Sequence, residues 1–186
     1  MKALDRYLQR VRINKAKKYI RKGDTVLDIG SVDGVMFEAL QGIIEKGFGI
    51  DPTLTQQIET PLYTLIPGYF PEVSPKGLQY DVITLLAVLE HIPTHLQLEL
   101  ANNCFKHLKP GGRVVITVPS PQVDTILAIL TTLKLIDGMS LEEHYGYDPA
   151  QTIHLFSAPQ FKLVRKQSFQ FGLNNLFVFE KNNNAI

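Results

Sequence analysis

Residues 25–29 (TVLDI), stopped at once by Gly30, set the terms for the rest of the chain. A short apolar run bounded by glycine reads as a buried strand, because it is too brief for a helix and too apolar for a loop. Further runs repeat the pattern: 47–51 (stopped by Pro52), a weaker 62–66, 81–86 (DVITLL), and 113–118 (RVVITV, stopped by Pro119). Two intervening stretches carry helical spacing. Residues 33–45 place Met36, Phe37, Leu40, Ile43 and Ile44 on one face, and residues 94–108 do the same with Leu96, Leu100, Cys104 and Leu108. Lys109-Pro110-Gly111-Gly112 reads as a turn, since proline stops the helix and glycine permits positive φ. Strands alternating with helices specify an α/β fold of right-handed βαβ units, a mostly parallel sheet covered on both faces. The end of the chain departs from this. Residues 161–171 and 176–180 are strands separated by Gly172-Leu-Asn-Asn175, so the sheet finishes in a C-terminal antiparallel hairpin.

Composition excludes several classes. With 45% hydrophobic residues the chain buries a real core, and its 186 residues suit a single domain over 24–186 behind a basic segment at 1–23. A single Cys excludes an internal disulfide framework and any multi-Cys metal site. No apolar run reaches membrane-spanning length, and residues 1–23 lack an apolar signal core, so the cytoplasm is the expected location. The net charge of +1 hides an asymmetry: residues 1–23 carry +8 and the remainder carries −7. Leu4, Leu8, Val11 and Ile20 are spaced as one helical stripe, which makes 1–23 a basic amphipathic helix. Such a helix either contacts an anionic surface or packs its stripe on the domain and leaves its charges solvated; the second reading is favoured. The acidic body argues against nucleic acid as a partner.

The chemistry lies in the turn after the first strand. A glycine-rich passage from strand to helix is where open α/β sheets bind nucleotides. The dinucleotide pattern G-x-G-x-x-G, started at Gly30, fails twice, because Val32 and Val35 stand at its second and third glycines. The pattern D-x-G-x-G-x-G fits better: Asp28-Ile-Gly30-Ser-Val32-Asp-Gly34 misses only the central glycine.

With that turn, the chain resembles the class I S-adenosylmethionine (SAM)-dependent methyltransferases, and among them the small-molecule enzymes related to ubiquinone biosynthesis. The resemblance covers about residues 24–181 and rests on four blocks in order: VLDIGSVDG (26–34), GID (49–51), YDVITLLAVLEHI (80–92) and LKPGGRVVITVPSP (108–121). It implies a Rossmann-like seven-stranded sheet ending in a reversed hairpin, with SAM as cofactor. It also implies methyl transfer to a small-molecule acceptor by in-line attack, with no covalent enzyme intermediate. An alternative is a SAM- or nucleotide-binding module without turnover, or a partner subunit.

SAM carries a sulfonium and an ammonium but no phosphate, so its site needs acids. The resemblance puts Asp28, Gly30, Ser31, Val32 and Gly34 at the methionine end. It puts Asp51 at the ribose hydroxyls, Pro52 and Ile50 beside the adenine, and Leu86 at the end of the fourth strand. Two positions depart from the family pattern. Val32 replaces a glycine, and a left-handed backbone there would cost on the order of 1–3 kcal/mol. Tyr69 stands after Gly68 where an acid is expected, and its ring is suited to cover the adenine.

Few groups are available for proton handling. Glu90 and His91 follow the fourth strand, where His91 is either a base or, with Glu90, a brace for the next helix. His154 lies in the insert that faces substrate in this family, and packing beside Phe156 is an equal alternative. Glu142, Glu143 and His144 are contiguous, which disfavours a metal site. His95 and His107 read as helix-surface residues, and Cys104 as core. Residues 123–136 are apolar on most faces. They form a buried helix, a homodimer contact or the wall of an apolar substrate pocket, and their place after the fifth strand favours the last. With Tyr145, Tyr147 and Phe156 nearby, they point to a substrate with a hydrophobic part.

Overall fold

The computed structural model describes residues 3–120 and 147–183. The apolar run at 123–136 and residues Glu142, Glu143, His144 and Tyr145 lie outside the described residues. One sheet contains β1 (Thr25–Ile29), β2 (Lys46–Asp51), β3 (Ile58–Glu59), β4 (Tyr63–Pro67), β5 (Tyr80–Leu86), β6 (Leu108–Pro119), β7 (Phe161–Phe169) and β8 (Asn174–Lys181). Its order is β3-β4-β2-β1-β5-β6-β8-β7. The pairs β2–β4, β1–β2, β1–β5 and β5–β6 are parallel, whereas β3–β4, β6–β8 and β7–β8 are antiparallel.

Among the described residues the sheet has eight strands, not the expected seven. The additional one, β3, is two exposed residues paired against β4, a length that leaves no periodic signature. The fifth expected strand starts earlier than residue 113. Tyr80 pairs with Leu108 and Val82 with Arg113, so Lys109–Gly112 is an irregularity inside β6 rather than a turn outside it. Gly111 makes this possible at φ +70°.

Among the described residues, four α-helices cover the faces. α1 (Ala3–Ala16) and α2 (Val35–Ala39) lie on one, and α3 (Thr94–His107) and α4 (Gln151–Leu155) on the other. On the first face Ile13, Ala16, Met36 and Phe37 pack with Val26, Val82, Val115, Phe169 and Leu176. On the second, Leu100, Ala101, Cys104 and Phe156 pack with Leu27, Ile83, Ile116, Phe177 and Phe179. Phe156 is therefore core, not pocket wall. The buried stripe of the N-terminal segment is Ile13, Ala16 and Ile20, while Leu8 and Val11 are half-buried. α2 ends at Ala39 although its apolar spacing continues to Ile44: Gly42 sits at φ +77°, and the chain finishes in turns that still bury Leu40 and Ile44. Among the described residues no helix is long and apolar enough to cross a membrane.

A close approach fixes α2 on the sheet. A Cβ added to Gly47 in β2 would stand 2.3 Å from the Phe37 ring, which itself stacks on Tyr63 at a centroid distance of 5.4 Å. The Phe37 ring is fully buried, so Gly47→Ala overpacks the core and should lower unfolding free energy by about 1–3 kcal/mol in urea titrations.

Candidate active site

The strand order reverses at β1. The chain runs outward from β1 through β2 to β4, then returns to place β5 on the other side of β1. The crevice beyond the carboxyl ends of β1 and β5 is the ligand position in such sheets. Two loops meet there, the turn after Ile29 and the turn after Leu86. They are in intimate contact: a Cβ on Gly30 would stand 2.4 Å from Val88 Cγ2. Gly30 at φ +84° and Gly34 at φ +67° reverse the chain, and the Gly30 N–H donates to the Ile50 carbonyl at 2.8 Å. Val32 is not in the left-handed region and is 55% exposed, so the strain a valine would meet there does not arise.

Asp28 closes this turn from beneath. It is opposite Thr84 in the parallel β1–β5 register, and Thr84 Oγ1 donates to its Oδ1 at 2.6 Å. Burial pushes the Asp28 carboxyl up to about 6; the bonds from Thr84 and Ser31 oppose the shift, and the charges of Asp33 and Asp51 add to it. Three acids therefore share one electrostatic environment around a glycine turn. Asp51, also buried, ends β2, and its Oδ1 accepts from the Thr53 N–H at 2.7 Å and the Thr53 hydroxyl at 2.5 Å. Both bonds fall on one oxygen, which leaves Oδ2 for a ligand. The Gly68 N–H donates to the Asp51 carbonyl, so the turn carrying Tyr69 sits beside that acid. Tyr69 itself is 70% exposed, while Phe70 turns inward against His107 at 5.0 Å. Pro52 is exposed and Leu86 half-buried at the tip of β5.

α1 forms a second wall. Gln9 Nε2 donates to both carboxylate oxygens of Asp33, at 3.2 and 3.0 Å, and ties the helix to the glycine turn. One turn further along, burial lowers the pKa of Arg12, opposed by the charges of Glu90 and Asp5. Arg12 is thus not one of the solvated charges expected of this helix. Glu90 is buried and His91 half-buried in the short 3-10 turn after β5. Burial raises the Tyr147 pKa, and the Glu90 charge adds to the shift, which puts Tyr147 in the neighbourhood of Glu90. His154 is exposed on α4. His95 is exposed, whereas His107 is half-buried, with its Nδ1 2.9 Å from the Asn103 carbonyl. Cys104 is fully buried, and burial raises its pKa, so it is not available as a nucleophile.

The structure thus brings together Asp28, Gly30, Ser31, Gly34, Asp51 and the Glu90–His91 turn at one sheet edge, while His154 is exposed on α4. The sequence reading missed Thr84, Gln9 and Arg12. Thr84 was detectable in principle, because a threonine inside an otherwise apolar strand needs a partner. Gln9 and Arg12 carried no local signal, since their roles depend on where α1 lands.

A glycine turn flanked by buried acids, at the reversal point of a sheet that closes in an antiparallel hairpin, defines a methyltransferase-type α/β domain. The chain belongs to the methyltransferase domain family (Methyltransf_23), whose model it matches over residues 2–173. It is similar to the ubiquinone biosynthesis O-methyltransferase of Paraburkholderia phytofirmans, 31% identical over 134 residues that cover 67% of this chain and 57% of that protein. The enzyme of the same name from Nitrosococcus oceani is 28% identical over 152 residues, covering 72% of this chain and 64% of that one. The chain therefore spans about three fifths of the length of these relatives. Among solved structures, the magnesium protoporphyrin IX methyltransferase of Synechocystis superposes with a TM-score of 0.63 at 16% identity, covering 95% of this chain and 83% of that one. The 1,6-didemethyltoxoflavin-N1-methyltransferase of Burkholderia thailandensis does so at 0.66 and 16%, covering 94% and 78%. At these identities the likeness is one of fold.

The Asp28 pKa has a consequence for stability with a definite sign. The folded value, about 6, lies above the unfolded one, so the ionised carboxyl opposes folding above pH 6 and ceases to do so as pH falls toward 4. Asp28→Asn should therefore stabilise the ligand-free protein at pH 7, on the order of 2 kcal/mol, with the gap closing between pH 6 and 4 in urea titrations. Thr84→Val removes a donor to the charged form and should raise the Asp28 pKa further, as read by carboxyl-carbon NMR.

Proposed function

We propose that this chain is a SAM-dependent methyltransferase that transfers a methyl group to an oxygen of a small-molecule acceptor. The observation that carries the reading is the shared field of Asp28, Asp33 and Asp51 around the Gly30–Gly34 turn. A phosphate-bearing cofactor would meet three negative charges there; a sulfonium and an ammonium meet favourable ones. Asp28 and the turn backbone hold the methionine end. Arg12 is a half-buried cation on the wall beside this turn, suited to the methionine carboxylate. Asp51 Oδ2 takes a ribose hydroxyl, and Ile50, Pro52 and Tyr69 flank the adenine. SAM supplies a methyl already activated by positive sulfur, so the protein's task is alignment and, at the acceptor, proton removal. The Glu90–His91 turn directly follows the β5 tip, with His91 as the base and Glu90 orienting it.

The names of the relatives support an oxygen acceptor. Two structural neighbours hold S-adenosylhomocysteine, which supports the cofactor. The apolar run at 123–136 supports an acceptor with a hydrophobic part. The −7 charge of the body argues against nucleic acid as substrate.

Calorimetric titration with S-adenosylhomocysteine tests the reading. The parent protein should bind it, and Asp51→Ala should weaken binding at least about tenfold, the effect of removing a charge-assisted hydrogen bond. Val32→Gly should retain binding, since the loop places no special demand on that residue. Absence of binding to the parent protein would refute the proposal.

A further inference from the structure

We propose that Thr117, Gln170 and Asn174 form a hydrogen-bonding recess for an uncharged hydroxyl of the methyl acceptor, one that takes no part in the transfer. This rests on the methyltransferase reading above and adds a site to it.

The three residues share one corner of the molecule. Thr117 is two residues before the end of β6, opposite Leu86 at the tip of β5, and its carbonyl accepts the Ala87 N–H. It is thus one strand away from the Glu90–His91 turn. Directly opposed residues of antiparallel strands share a face. Thr117 is opposite Leu176, and Asn174 is opposite both Pro119 and Phe169. Leu176 and Phe169 belong to the core beneath α1, so Thr117 and Asn174 lie on the α1 face at the carboxyl edge. Gln170 joins them, because the Asn174 side-chain amide donates to Gln170 Oε1 at 2.6 Å.

Each of the three carries a polar atom that is sealed from solvent and has no hydrogen-bond partner among the described residues: Thr117 Oγ1, Gln170 Nε2 and Asn174 Oδ1. Thr117 is fully buried and Asn174 is 3% exposed. Buried polar atoms are nearly always paired, so three unpaired ones at one sheet edge require an explanation. The local backbone is also strained. Gln170 and Phe171 both occupy the left-handed region, at φ +51° and +58°, which side chains other than glycine seldom adopt. Ser120 braces that turn: its hydroxyl donates to the Gly172 carbonyl at 2.5 Å, and it accepts from Asn175 Nδ2 at 2.8 Å. A strained loop with desolvated, unpaired dipoles is what a preorganised recognition site costs a ligand-free protein.

The donor set selects the ligand group. The Gln170–Asn174 bond uses one donor and one acceptor, and leaves one of each, whichever amide gives the hydrogen. The Thr117 hydroxyl can do either. A carboxylate would face an oxygen it cannot bond, and an ammonium would face an N–H. A hydroxyl satisfies both amides at once, by accepting from one and donating to the other.

Phenol, titrated into the 15N-labelled protein with S-adenosylhomocysteine bound, tests this. The side-chain amide signals of Gln170 and Asn174 should move saturably with phenol, and not with toluene or benzoate. Thr117→Val keeps the volume and removes the unpaired hydroxyl. It should raise the thermal midpoint by a few degrees while weakening phenol binding about fivefold or more. Amide signals indifferent to phenol would overturn the proposal. So would a lower midpoint in Thr117→Val, because it would mean that the hydroxyl is already satisfied in the resting chain. Failure of S-adenosylhomocysteine to bind is a separate result that removes the methyltransferase reading itself.

Discussion

The hydrogen bond from Thr84 to Asp28 joins the two central strands of the sheet at the point where they open onto the crevice. An aspartate in a five-residue buried strand is a poor choice for stability, since its charge gains little there to offset lost hydration. It is tolerated because parallel pairing sets a threonine opposite it, and that hydroxyl reaches the carboxylate without displacing the ladder. The same pairing brings the loop after β5 against Gly30 so tightly that no side chain fits between them. The acid, the glycine and the neighbouring loop are therefore one device: the strand register fixes all three.

The N-terminal helix completes the enclosure. By composition the first 23 residues look like a detachable basic arm facing an acidic body. In the fold the arm is part of the domain. Ile13 and Ala16 bury themselves over the sheet, Gln9 holds the glycine turn through Asp33, and Lys17 donates to the Ala39 carbonyl. The charge asymmetry is thereby partly consumed inside the molecule, with Arg12 drawn into the interior near Glu90.

What could be read from the sequence follows from range. Strands β1, β2, β4 and β5, helix α3 and the terminal hairpin announce themselves through patterns within a dozen residues, and the acids at 28 and 51 lie at strand ends that those patterns fix. The shortfalls are equally physical. The two residues of β3 pair only because β4 offers a free edge, and no periodicity exists in two residues. α2 looked longer because Leu40 and Ile44 are indeed buried, but in turns beyond Gly42. His154 looked chemical and is exposed on a short helix, whereas Thr84, an inconspicuous β-branched strand residue, holds the central acid. Gln9, Arg12, Thr117 and Asn174 gain meaning only when α1, β6 and β8 are assembled, and no local pattern encodes that.

The edges of the sheet explain why its carboxyl rim is the surface left for recognition. An exposed strand edge invites pairing with another chain unless it is blunted. At one end β3 is too short to extend the sheet. At the other, β7 presents Lys162, Arg165 and Lys166, all exposed, and its pairing with β8 slips between Leu163 and Arg165, which bulges Val164 outward. Two copies brought together along β7 would oppose like charges on a kinked ladder. With both faces covered by helices and both edges blunted, association through strand addition is disfavoured. The unpaired polar atoms of Thr117 and of the hairpin amides lie along the carboxyl rim, the same rim that carries the acids of the glycine turn.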